Sequence, residues 1–306
     1  MQRRAFLHGM GLITAGSAGA AAKGVAAPVP GDPSVAGRAA GTGVRLSLNA
    51  YSFNHPLRDG AMSVSDAIEF CARHGIGALD LTAYYVRGYP VVPEDAELYR
   101  IKRLAFVNGI ALSGTGVRND FTVAEEAAHH GEVRLVKDWI VAAEKLGVPV
   151  LRVFAGREVP AGETRARLME RVVRGMRECV GFGRDHGVVI AVQNHHDFLK
   201  TADETVELVQ AVGSEWFGVV LDVGSLRSTV DPYAEIRRLT PHAVSWQLKE
   251  QVYHGDEARP IDLARIRSIV DDVGYRGVLQ IETLGPGDPV AKIEAYLAAV
   301  RQHFPG

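Results

Sequence analysis

The feature that most constrains this chain is a rhythm. From Val44 to the C-terminus, short β-rich apolar runs alternate eight times with amphipathic segments. The runs are VRLSLNAYSF (44–53), ALDLT (78–82), IALSGTGV (110–117), PVLRVFAG (149–156), VVIAVQNH (188–195), FGVVLDVGS (217–225), HAVSWQLKE (242–250) and GVLQIETLG (277–285). Near-continuous apolar character marks parallel strands covered on both faces. Helices are expected between them, around SVSDAIEFCARHG, over 93–108, up to KDWIVAAEKLG, over 162–186, at TADETVELVQAVG and DPYAEIRRL, and over 261–273 and 289–303. Gly75, Gly109, Gly147, Gly187 and Gly274 each stand between a helical segment and the next strand, which suits a left-handed C-cap. Eight such units predict an α/β fold, a single (β/α)8 TIM barrel over residues 44–306, rather than an open doubly wound sheet. The length of 306 residues is compatible with one domain, because α/β barrels commonly run to about 250 residues.

The first residues read as targeting rather than structure. Arg3 and Arg4 precede a weakly apolar Gly/Ala-rich stretch with small residues at Ala20–Ala22 and Val25–Ala27. This predicts a twin-arginine-type signal peptide over 1–27, a flexible linker over 28–43, and a periplasmic or secreted protein. Twin-arginine cargo is exported folded and often carries a metal inserted beforehand. No membrane span is expected once the signal is removed. A net charge of -2 leaves no basic footprint for nucleic acid. No GxGxxG follows the first strand, which argues against a dinucleotide cofactor. Cys71 and Cys179 fall on helical segments without CxxC spacing; they read as buried thiols rather than zinc ligands, with a disulfide left open. The oligomeric state is open, a homo-oligomer included.

Barrel chemistry sits at the C-terminal ends of the strands. Four successive strands there end in polar residues: Gln193 with Asn194, His195, His196 and Asp197; Asp222; Gln247 with Lys249 and Glu250; Gln280 and Glu282. Earlier strands contribute Asn49, Tyr51, Asn54, His55, Asp80, Tyr84, Arg118, Asn119, Asp120, Arg157 and Glu158. Burying a carboxylate after an apolar run, as in GVVLD, is costly without a partner, so the set points to a site. For His196 and Asp197 a solvated loop role is the simpler reading, and Arg157 is equally placed to pair with Glu158.

VIAVQNHHDF, GVVLDVGS, AVSWQLKE and LQIETLG resemble strands 5 to 8 of the xylose-isomerase-like sugar phosphate isomerase/epimerase barrels. The resemblance implies a divalent metal, manganese or magnesium, held by Glu, Asp, His and Glu at the four strand ends. Asp222 and Glu282 match that pattern. Gln193 stands in place of the first Glu, and Gln247 in place of the His. Asn194, His195, Lys249 and Glu250 keep the family's surroundings.

The resemblance therefore implies metal ligands Gln193, Asp222, Gln247 and Glu282. An amide carbonyl suits hard cations, but these groups could instead hydrogen-bond a sugar directly. Family epimerases use two carboxylates on opposite substrate faces. Gln193 cannot act as acid or base, which leaves Glu282 as the clear base. That suits same-face proton transfer next to a carbonyl, or elimination from a keto sugar. His195 and Lys249 would protonate or bind oxygen, and Asn194, Tyr51, Trp246 and Arg157 would bind the carbohydrate, with Phe53 a further stacking candidate, although an aromatic on a barrel strand is more often core. The rival is a non-catalytic sugar-binding barrel. An apurinic endonuclease of the same superfamily would need a richer metal set and a basic face.

Overall fold

The computed structural model describes residues 43–157, 159, 162–227 and 229–305. The expected signal peptide and residues 28–42 of the expected linker lie outside the described residues, as does Glu158. Parallel strands β1 (Arg45–Asn49), β2 (Ala78–Asp80), β3 (Ala111–Gly116), β4 (Val150–Val153), β5 (Val189–Gln193), β6 (Phe217–Asp222) and β7 (Ala243–Lys249) follow one another around a barrel. An antiparallel hairpin comes next, β8 (Gln251–His254) with β9 (Glu257–Pro260), and β10 (Val278–Glu282) then closes the barrel between β7 and β1. Helices α1 (Asn54–Arg58), α2 (Val64–Arg73), α3 (Asp95–Val107), α4 (Glu126–Leu146), α5 (Arg165–Asp185), α6 (Ala202–Val212), α7 (Pro232–Leu239), α8 (Leu263–Val273) and α9 (Pro289–His303) connect the strands. The fold is the (β/α)8 barrel that the alternation predicts.

The glycines before the strands do what their positions suggest. Gly75, Gly109, Gly147, Gly187 and Gly274 take φ values between 63° and 75°, each ending a helix in the left-handed region. Cys71 and Cys179 are buried free thiols, and burial pushes both pKa values up to about 12. No helix among the described residues is long and apolar enough to cross a membrane.

Two differences from the sequence expectation bear on the site. The first strand stops at Asn49, not Phe53. The Asn49 side chain accepts the Tyr51 N–H at 2.9 Å and bends the chain into a 3-10 turn, Ala50–Phe53, across the barrel mouth. The β8–β9 hairpin was not expected. Its strands are only four residues long, too short for a period-two pattern to stand out, and Gly255 at φ 58° takes the first corner of the turn.

Side-chain alternation then decides what fills the barrel. Ser47 and Asn49 face inward from β1, Gln280 and Glu282 from β10, Ser245, Gln247 and Lys249 from β7. The interior is accordingly polar. Ser47 and Ser113 hydroxyls meet at 2.7 Å, Asn49 donates to Gln280 Oε1 at 2.9 Å, and Gln280 donates to Ser245 Oγ at 2.8 Å. These groups are buried and satisfy one another, which makes a rigid floor beneath the mouth. Gln280 therefore belongs to this floor and not to the cavity.

Packing of α5 on the barrel gives a paired stability prediction. A Cβ on Gly183 would lie 2.6 Å from the Val188 carbonyl oxygen, whereas a Cβ on Gly181, in the same helix, would meet nothing within 4 Å. Gly181→Ala should stabilise by about 0.5–1 kcal/mol through helix propensity. Gly183→Ala should instead destabilise by about 1–3 kcal/mol, as overpacking does. Urea denaturation of both variants checks the opposite signs.

Candidate active site at the barrel mouth

The C-terminal ends of β5, β6, β7 and β10 bring Gln193, Asp222, Gln247, Lys249 and Glu282 together. Strand register sets Glu282 beside Lys249 and Asp222 beside Gln247. Asp222 is fully buried and is the hub. Its Oδ2 accepts from Lys249 Nζ at 2.7 Å, Gln193 Nε2 at 2.7 Å and Ser225 Oγ at 2.6 Å. Its Oδ1 accepts the Gly224 N–H at 3.0 Å. Gln193 Nε2 also donates to Gln247 Oε1 at 2.7 Å. A carboxylate oxygen only accepts, so the Gln193 atom facing it must be the NH2 end of the amide.

The charges differ in character. Burial works against the Asp222 carboxylate, but the Lys249 cation and the hydrogen bonds from Lys249, Ser225 and Gln193 outweigh it and hold the pKa below the usual range. Burial also opposes the Lys249 ammonium, yet Asp222 and Glu282 keep it protonated well above its ordinary range. Glu282 has a weaker claim on that cation, with Lys249 Nζ 3.7 Å from its Oε1. Burial, only partly offset by Lys249 and reinforced by the Asp222 charge, pushes the Glu282 pKa up to about 7. Glu282 Oε2 is buried and has no hydrogen-bond partner among the described residues.

The mouth opens into two lobes that share His195, Lys249, Glu282 and Leu284. One, of about 490 Å³, runs over Tyr51, Tyr84, Arg152 and Phe154. The other, of about 610 Å³, runs under the β8–β9 hairpin past Arg227, Gln251 and Tyr253. Two successive tight turns, His195 N–H to the Gln193 carbonyl and Asp197 N–H to the His195 carbonyl, swing His195 over the mouth. Its Nδ1 lies 2.7 Å from Asp197 Oδ2, which fixes the ring.

Other residues singled out from the sequence stand elsewhere. Trp246 is fully buried, one residue out of phase with Ser245 and Gln247, and packs outside the barrel on Tyr275 at 5.7 Å between ring centroids. It is a core residue and not a sugar platform. Phe53 is likewise buried, against Phe70. Asn194 is 1% exposed and does not line the cavity. It clamps the Asp222 backbone, donating to its carbonyl at 3.0 Å and accepting its N–H at 2.8 Å, so it positions the hub instead of touching ligand. Tyr51 and Arg157 do line the first lobe, Arg157 at the rim with its side chain 85% exposed and 3.6 Å from Asp120.

Arg152 and Ser225 were missed by the sequence reading. Arg152 is buried on β4, donates to the Val117 carbonyl at 2.6 Å and the Tyr84 hydroxyl at 3.1 Å, and lies over Phe154. A lone arginine inside the apolar run VLRVF was the available signal. Gly116 makes room for it, since a Cβ there would lie 2.6 Å from Arg152 Nε. Ser225 is the fourth residue of Asp-Val-Gly-Ser, a spacing that lets a hydroxyl return to the aspartate.

Residues 66–303 match the family described as the xylose isomerase-like TIM barrel, and the chain belongs to it. Among solved structures, a D-psicose 3-epimerase crystallised in the presence of D-fructose is similar, with 19% identity, a TM-score of 0.71, and 86% of this chain and 100% of that one covered. The IolI protein with a bound zinc atom is similar at 17% identity and a TM-score of 0.70, covering 86% of this chain and 100% of that one. The 3-keto-D-glucoside 4-epimerase of E. coli has 10% identity and a TM-score of 0.69, over 85% of this chain and 99% of that one. At such identities the likeness is one of fold. No curated protein matches the chain in sequence.

The raised Glu282 pKa makes a stability prediction with a definite sign. A carboxyl whose folded pKa exceeds its unfolded value of 4.5 favours the folded state below that value, and the advantage is lost as pH rises through about 7. Glu282→Gln never ionises there. The variant should therefore melt higher than the wild type at pH 8 and not at pH 5; calorimetry at the two pH values checks it.

Proposed function

We propose that this protein is an isomerase or epimerase of a keto sugar or keto-sugar derivative that moves a proton on the carbon beside a carbonyl. The observation that carries this reading is Glu282: a buried carboxyl at the barrel mouth, its pKa near 7, one oxygen unpartnered, and an ammonium 3.7 Å away. A general base is most effective when its pKa lies near the working pH. Glu282 Oε2 takes the C–H proton. Charge develops on the neighbouring carbonyl oxygen, and Lys249, whose ammonium has N–H capacity beyond its bond to Asp222, donates to it. His195, held by Asp197, moves the hydroxyl proton.

A second carboxylate would be needed to work the opposite face of the substrate, and Gln193, which stands in place of the family's first Glu, has no acid–base capacity. One base supports removal and return of the proton on the same face, as in transfer between two neighbouring carbons. Tyr51 and Tyr84, edge to face at 6.3 Å, offer apolar ring surface, and Arg152 and Arg157 offer donors to hydroxyls. A carbohydrate suits this mixture of aromatic and polar lining. The reading of residues 1–27 as an export signal would set the enzyme to work outside the cytoplasm, where an unphosphorylated sugar is the simpler substrate.

The test is exchange of substrate C–H with solvent deuterium, followed by NMR on a panel of ketoses beginning with D-fructose. Wild type should incorporate deuterium beside the carbonyl, and Glu282→Gln should lose about 10²–10⁴-fold of that rate. The rate should climb with pH up to about 7 and then level off, because the base must be ionised. Binding of the sugar with no exchange in the wild type would instead favour a non-catalytic sugar-binding barrel.

A further inference from the structure

The family resemblance implies a divalent ion at these strand ends, and the similar IolI protein has a bound zinc atom. The donor set of this chain does not fit one. Among the described residues, no group of three or more His, Cys, Asp or Glu side chains is placed to hold a metal. Glu282 Oε2 is the one carboxylate oxygen of the set left without a partner among the described residues, and the oxygens it would have to share an ion with are engaged. Asp222 Oδ2 accepts three hydrogen bonds, and Gln247 Oε1 is taken by Gln193. Gln193 turns its NH2 and not its carbonyl toward Asp222.

The decisive group is Lys249. Its Nζ is 2.7 Å from Asp222 Oδ2 and 3.7 Å from Glu282 Oε1, between the two carboxylates that match the family's metal ligands. Mg2+ and Zn2+ bind carboxylate oxygens at about 2.0–2.2 Å. An ion on those oxygens would stand in contact with a positive ammonium and would have to displace it.

We propose that the Lys249 ammonium takes the place of the divalent ion, so that the site carries its compensating cation within the chain and binds no divalent metal. Gln193 and Gln247 belong to the same arrangement. A Glu at 193 would add a carboxylate beside Asp222 and Glu282, both already drawing on the Lys249 ammonium, whereas the Gln193 amide donates to Asp222. A Gln at 247 gives that amide a carbonyl to reach. The metal-free charge balance is independent of which substrate binds; the role of the ammonium in polarising a substrate oxygen rests on the isomerase reading.

The full chain, purified without added metal, should contain far less than one equivalent of manganese, magnesium, zinc, iron or cobalt by elemental mass spectrometry. Titration with MnCl2 should give no saturable heat and no shift in melting temperature, and prior treatment with chelator should change neither stability nor any C–H exchange. The Gln193→Glu/Gln247→His/Lys249→Met variant should gain a Mn2+ site at least about 100-fold tighter than wild type, beyond the range produced by changes around a ligand shell. One equivalent of tightly held metal in the wild type, or saturable Mn2+ binding that Asp222→Asn abolishes, would overturn the proposal. The wild-type measurements decide it even if the triple variant does not fold. A metal-free wild type that exchanges no ketose C–H would sink the isomerase reading and leave this one standing.

Discussion

Asp222 and Lys249 form an ion pair at the centre of the barrel mouth, and the surrounding architecture serves it. The carboxylate is wholly buried and the ammonium nearly so. Charges removed from water are tolerated only when paired and hydrogen-bonded, and deleting one partner of such a pair costs about 3–5 kcal/mol. The neighbouring strands therefore supply a complete set of partners. Asn194 clamps the Asp222 backbone from β5, and the Gly224–Ser225 turn caps its two oxygens. Tyr296 on α9 donates to the Lys249 carbonyl at 2.7 Å, fixing the end of β7.

The Lys249 cation serves two carboxylates unequally, and that inequality separates their protonation. Asp222 takes the short contact and three further donors, so it stays ionised. Glu282 is buried, receives only the distant contact and feels the charge of Asp222, so its proton is held to about pH 7. Environments that push two carboxyls apart in pKa can divide their roles, and in the proposed reaction Asp222 is the fixed counter-charge and Glu282 the proton carrier. The polar floor of Ser47, Ser113, Ser245 and Gln280 supports this division by keeping the interior rigid without adding a net charge.

The fold was legible in the chain because the apolar strand runs repeat eight times and Gly75, Gly109, Gly147, Gly187 and Gly274 end helices between them, so the two signals agree. The strand-end polar residues were legible because barrel topology aims successive strands at one mouth. What could not be read was orientation. Trp246 looked like a platform in VSWQLKE, but its phase relative to Ser245 turns it into the outer layer, and that phase depends on β7 pairing with β6 across a register shift. Asn194 looked like a ligand contact, but the turn after β5 directs it into the Asp222 backbone. The β8–β9 hairpin, which walls the second lobe, rests on a single glycine turn within a short polar stretch.

The same limit explains why a resemblance in sequence suggested a metal site and the geometry suggests otherwise. A strand end written Q-L-K does not say whether its lysine reaches outward to solvent or back across the mouth. Residues two apart on a strand share a face, so Lys249 is confined to the side of Gln247, and register then sets it beside Glu282. From there a four-carbon stem reaches Asp222 on the strand beyond. Once the ammonium is there, amides at 193 and 247 cease to be weakened metal ligands. They become the neutral donors and acceptors that suit carboxylates already paired with a built-in ammonium.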